Sequence, residues 1–338
     1  MLVFVLIATI VLIPILIWKG DAIVSFFTPK PKLQIVVAST DVLPDTFWHA
    51  RDIALETDTQ QKALISYGKE LIAHTAYYLG PKGSVMPISN GMNCQNCHLD
   101  AGTRVYGNNY GSVFSQYPKF RARSGSEETM FKRINDCLER SLNGKSLDSN
   151  GRELKAMKAY IAFIGSNVPK GKKGAGSGLK EMDYLTRPAN PIAGKAVYAT
   201  HCASCHGANG EGQKTPDGME YSYPPMWGPH SFNDAAGLYR ISNFARYVKY
   251  NMPLGVTHQN PTLSDEEAWD VAAFVIAQAR PHKDVPADWP DISKKPIDHP
   301  RGPYVDSFSE QQHKFGPFKP IQTFYKTYAS ATKSTKKS

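Results

Sequence analysis

Cysteine is scarce in this chain, five residues in 338, and the odd count excludes complete pairing of thiols within the molecule. Acid is missing altogether from residues 311–338, which hold six lysines and no Asp or Glu. Setting those lysines aside reduces the formal charge from +9 to +3. The basicity is therefore largely a property of the tail, which excludes a body-wide nucleic-acid-binding surface. Charged residues amount to only 20% against 41% hydrophobic, so the chain is neither a disordered polymer nor a coiled coil. Glycine and proline are not scarce, at 26 and 24, and they favour a loop-rich fold.

One long apolar run opens the sequence, Met1 to Trp18, broken only by Thr9 and Pro14. As a helix it would span roughly 27 Å, close to a bilayer core. No good cleavage signal follows in Lys19, Gly20, Asp21 and Ala22, so the pattern favours an uncleaved membrane anchor over a secretory leader. Lys19, Lys30 and Lys32 follow the run and no cation precedes it, which taken alone would keep the body on the cytoplasmic side. The cysteine motifs described below override that orientation.

Beyond the anchor the pattern divides at 19–58 (a connector with a strand-like patch, Leu33 to Val37), 59–168, 169–182, 183–280 and 281–338. Helical spacing recurs at 59–75, at 127–142 (Met130, Ile134, Leu138) and at 151–165 (Leu154, Met157, Tyr160, Ile161, Ile164). The run Lys170 to Gly178 reads as a flexible linker by composition. The plan then repeats: helices at Asn190 to Thr200, at Ala235 to Lys249, and from Ser264, where Glu267 completes a capping box. Cys94 precedes Cys202 by 108 positions and Tyr160 precedes Trp269 by 109, the spacing of a duplicated helical module. Residues 281–328 carry proline and aromatics without helical spacing and read as an extended arm. Residues 329–338 read as disordered.

Cys94-Gln95-Asn96-Cys97-His98 and Cys202-Ala203-Ser204-Cys205-His206 share the pattern C-x-x-C-H. Two thiols at this spacing can form thioethers to one haem while the adjacent histidine reaches its iron. Zinc would want a further Cys/His pair at similar spacing, and a redox dithiol has no need of the histidine. Two covalent haem c groups, attached outside the cytoplasm, place the body in the periplasm. It is anchored there by 1–18, or released if that segment is cleaved.

Each iron has room for a second ligand. In the second module Met252 lies between the middle and last helices, with Met219 and Met226 as rivals in an earlier loop. The first module has no methionine in that place. Cys137 stands there, the one cysteine that haem attachment does not use. Arg133 precedes it by one helical turn, with Arg123 and Arg140 in flanking segments. Arginines favour the thiolate and bind anions, so iron ligation by Cys137 is expected.

This combination resembles the dihaem thiosulfate dehydrogenase family over residues 60–280. The resemblance implies an all-α fold: two tandem class I-like cytochrome c domains, here with an N-terminal transmembrane helix and an extended C-terminal arm. It implies His98/Cys137 ligation at the first haem and His206/Met252 at the second. Arg123, Arg133 and Ser141 match the family's substrate pocket around the cysteine, so Cys137, Arg123, Arg133 and Ser141 are the expected catalytic set. The implied reaction joins two thiosulfates into tetrathionate, or reverses this, and passes electrons through the first haem and then the second to an external cytochrome or quinol system. Some family members carry a lysine before the methionine. Here Asn251 stands there and Lys249 is offset, which leaves ligand exchange open. The competing readings are a dihaem electron carrier with a structural Cys137, and a partner subunit of a sulfur-oxidation carrier protein.

Overall fold

The computed structural model describes residues 46–335, with side chains to 330. The apolar run 1–18 and the strand-like patch Leu33 to Val37 lie outside the described residues. The first domain is built on helix α1 (Thr59–Ala73), whose Asp58 cap accepts from the backbone N–H groups of Gln60 and Gln61. A hairpin of β1 (Lys119–Arg121) and β2 (Ser126–Glu128) then leads into α2 (Met130–Arg140), capped by Thr129. Helix α3 (Arg152–Ile164) follows, with Leu154, Met157, Tyr160, Ile161 and Ile164 buried as the spacing predicts.

In the second domain, α4 (Pro191–His201) starts behind an Asn190 cap with proline at its first position, where a missing N–H costs nothing. A small hairpin of β3 (Gln213–Lys214) and β4 (Tyr221–Tyr223) follows, then α5 (Ile241–Asn251) and α6 (Asp265–Ala277). The Ser264/Glu267 capping box forms as expected. The middle helix starts later than Ala235. Asp298, reaching in from the arm, accepts from the backbone N–H of Ser242 and from Arg240, and so sets the helix start at Ile241.

The duplication is visible in how the first and last helices of each domain cross. A Cβ on Gly68 of α1 would come within 2.0 Å of the Ala156 carbonyl oxygen of α3. One on Gly194 of α4 would come within 1.8 Å of the Asp270 carbonyl oxygen of α6. Only glycine permits these crossings. Each crossing seats a large ring in its core, Tyr160 in one and Trp269 in the other, both 1% exposed.

Three expectations are corrected. Among the described residues no helix is long and apolar enough to cross a membrane, so the expected transmembrane helix is not supported and the described fold is two helical domains and an arm. The arm is not wholly extended, since α7 (Glu310–Phe315) and α8 (Phe318–Thr335) close the chain and α8 runs through most of the stretch read as disordered. Phe318 and Ile321 on α8 are buried in the second core; Pro320 is tolerated because it sits in the helix's first turn. The Lys170 to Gly178 run is not a free linker either. Its carbonyls accept from the first domain: Ala175 from Trp48 N at 2.9 Å, Gly176 from Tyr106 N at 2.8 Å and Gly178 from Asn108 N at 2.9 Å.

Candidate active site

The first C-x-x-C-H motif begins as a tight 3-10 turn (Cys94–Asn96), tied down by Thr75 Oγ1 accepting from Cys94 N at 3.0 Å. His98 Nδ1–H donates to the Asn108 carbonyl at 2.5 Å, and the ring stacks on Tyr110 with centroids 4.5 Å apart. This fixes the tautomer and leaves Nε2 with its lone pair. His98, Cys94 and Cys97 line a cavity of about 140 Å³ whose other walls include Tyr110, Met157, Arg133 and Cys137. In the second domain His206 Nδ1–H donates to the Pro224 carbonyl at 2.8 Å, and Cys202, Cys205 and His206 line a cavity of about 380 Å³.

The donor sets fit a covalently held haem in each cavity. No cysteine is in a disulfide. Burial pushes the thiols of Cys94 and Cys97 up to about 12, so neither is a reactive thiolate, and each faces an apolar slot beside an imidazole with a free lone pair. Among the rival methionines, Met252 and Met226 line the second cavity and Met219 does not. Met252 sits at the C-terminal cap of α5, where the helix ends before Pro253. Lys249 is held by other groups: its Nζ donates to the Leu263 carbonyl and pairs with Asp265 at 2.9 Å.

A second, polar pocket of about 290 Å³ opens off the first cavity, and the two share Cys97, His98, Asn108, Arg133, Cys137 and Ser141. Cys137 and Ser141 sit one turn apart at the end of α2, with Ser141 N donating to the Cys137 carbonyl at 2.8 Å. Arg123 comes to this pocket from the β1–β2 turn, so the four residues of the expected catalytic set line one space. The charge on Cys137 raises the Arg133 guanidinium above its ordinary value against the cost of burial. Burial, reinforced by Arg140 and Arg133, pushes Arg123 down to about 10. An anion would relieve that cost at Arg123.

Not every cation lining the pocket is available. Arg140 donates to both oxygens of Asp288, and Arg246 pairs with Glu181 at 2.8 Å. Among the described residues, Arg123, Arg133 and Lys173 are in no ion pair with a carboxylate. Lys173, Asn243 and Arg246 are lining residues that the sequence did not reveal. Lys173 was hidden in a glycine–lysine run. Arg246 and Asn243 belong to the second domain, and only tertiary contact brings them to a first-domain cysteine.

Known proteins place this architecture. Residues 86–169 match the family model for the SoxA/TsdA cytochrome c domain, and 192–278 match the cytochrome c family model. The fold and the two motif cavities thus define a dihaem cytochrome c with both haems covalently bound. The chain is 39% identical to thiosulfate dehydrogenase of Allochromatium vinosum, over 63% of its own length and 79% of that protein. It is 40% identical to the thiosulfate dehydrogenase of Psychrobacter arcticus, over 60% of this chain and 61% of that one. The solved thiosulfate dehydrogenase (TsdBA) of Marichromatium purpuratum superposes with a TM-score of 0.65 at 30% identity, covering 70% of this chain and half of the solved one. The chain belongs to the thiosulfate dehydrogenase family.

Proposed function

We propose that this enzyme couples two thiosulfate dianions at Cys137 to give tetrathionate and two electrons. The observation that carries the reading is that Cys137 lies in the wall common to the first haem cavity and the cation-lined pocket. Iron ligation and substrate chemistry can then meet at one sulfur. His98 and Cys137 would hold the first haem, and His206 and Met252 the second. When bound, these groups supply one-electron acceptors that carry charge from the pocket to an external cytochrome or quinol system.

The chain's own residues do the rest. Arg133 and Arg123 hold sulfonate oxygens by charge-assisted hydrogen bonds, and Ser141 donates a further one. The Cys137 thiolate forms a bond to the outer sulfur of one thiosulfate as two electrons leave, giving Cys–S–S–SO3⁻. The outer sulfur of a second thiosulfate attacks the sulfur bonded to Cys137. A sulfur–sulfur bond forms, the bond to Cys137 breaks, and tetrathionate leaves with the thiolate restored. Two thiosulfates carry four negative charges and tetrathionate two, so the electrons released account for the difference. The reverse sequence reduces tetrathionate. Covalent haem attachment outside the cytoplasm supports a periplasmic site for the reaction.

The test is a spectroscopic titration of the purified oxidised protein with thiosulfate alone. Reduction of the haem bands with tetrathionate formation is expected. Protein reducible by dithionite but inert to thiosulfate would be an electron carrier instead.

A further inference from the structure

We propose that Trp289, on the arm and beyond both cytochrome c family matches, is a positioning residue that holds the Arg123 guanidinium in the anion pocket. The inference rests on the reading of Arg123 as a substrate-binding residue. Arg123 sits in the turn between β1 and β2, where a long side chain would otherwise sample many rotamers. Three neighbouring arm residues close on this turn and on α2. Trp289 N–H donates to the Arg123 carbonyl at 2.6 Å, and the Arg123 guanidinium lies 5.8 Å from the indole centroid. Pro290 packs on Gly125, where a Cβ would come within 2.6 Å of the proline ring. Asp288 holds Arg140.

The backbone of Trp289 lies in the left-handed region, φ 62°, which bulky residues rarely adopt. Such a conformation persists where the surroundings over-determine it. Its buried indole N–H makes no hydrogen bond among the described residues, and contact with Arg123 and an edge contact with His299 at 5.8 Å position the ring. The choice of an aromatic group has a chemical consequence. A carboxylate at this place would occupy the guanidinium, as Asp288 occupies Arg140, and would compete with a substrate anion. A ring holds the cation by its π face and leaves the N–H donors free.

The experiment is a double-mutant cycle on the haem-loaded enzyme, comparing wild type, Trp289→Leu, Arg123→Gln and the double variant by kcat and KM for thiosulfate. Trp289→Leu should lower kcat/KM about threefold to thirtyfold, chiefly through KM, with the haem spectra unchanged. In the Arg123→Gln background the same change should have less than about a twofold effect, because nothing remains to be positioned. Trp289→Phe should retain most of the activity. If the leucine variant does not accumulate, the phenylalanine variant carries the same cycle, with a loss of about twofold to threefold that vanishes without Arg123. Equal losses in both backgrounds, or no loss in the first, would overturn the role of Trp289. Wild-type protein inert to thiosulfate would overturn the functional reading and this inference with it.

Discussion

Arg140 donates through Nη1 and Nη2 to the two carboxylate oxygens of Asp288 at 2.7 and 2.8 Å, fastening the helix that carries Cys137 to the arm. The pair is mostly shielded, with side chains 9% and 16% exposed. Removing one partner of such a pair strands the other. Asp288→Ala should therefore destabilise the protein by about 2–4 kcal/mol, read as a lower urea midpoint. An unchanged midpoint would mean that the arm is not held by this contact.

The two glycine crossings make a second prediction. Gly68→Ala and Gly194→Ala each place a methyl against a carbonyl oxygen at half the ordinary contact distance, in separate domains. Each should cost about 1–3 kcal/mol or more, and each should broaden the haem signals of its own domain first. Equal stability of either variant and wild type would show that the helices separate without penalty.

How far the sequence carried this account depends on whether a signal was local. Tyr160 and Trp269 were legible as core residues because helical spacing and a 109-residue repeat both marked them. Cys94, Cys97 and His98 were legible because thioether chemistry demands adjacency. The arm was not: Phe318 and Ile321 are three apart, but Pro320 between them and further aromatics around them obscured the period. Lys173 lies in a run that composition alone marks as linker, since composition says nothing about Tyr106 and Asn108, whose N–H groups hold that run. In the sequence Arg140 is one more cation near Cys137, and its Asp288 partner removes it from the anion-binding set.

Arg133→Ala and Arg123→Ala should each weaken turnover roughly tenfold to a hundredfold, the loss of a charge-assisted contact worth about 1.5–3 kcal/mol. Steady-state kinetics with thiosulfate check this. Normal rates in both would make the pocket a solvated surface rather than a binding site.

For the second haem, Met252→Ala should abolish the methionine–iron charge-transfer band of the oxidised protein and lower that haem's potential, because thioether ligation favours ferrous iron. Persistence of the band would transfer the ligand role to Met226, the rival second-domain methionine that lines the same cavity.

The central claim is that the sulfur of Cys137 is both iron ligand and covalent partner of the substrate. The Cys137→Met variant tests it most directly, because a thioether can still bind iron but cannot form the sulfur–sulfur bond. Cys94, Cys97, Cys202 and Cys205 are untouched in this variant, so both haems should remain attached, with only the first haem's spectrum altered and its potential raised. The measurement is its rate of tetrathionate formation from thiosulfate. The account predicts no turnover above background; a rate near that of wild type would contradict it.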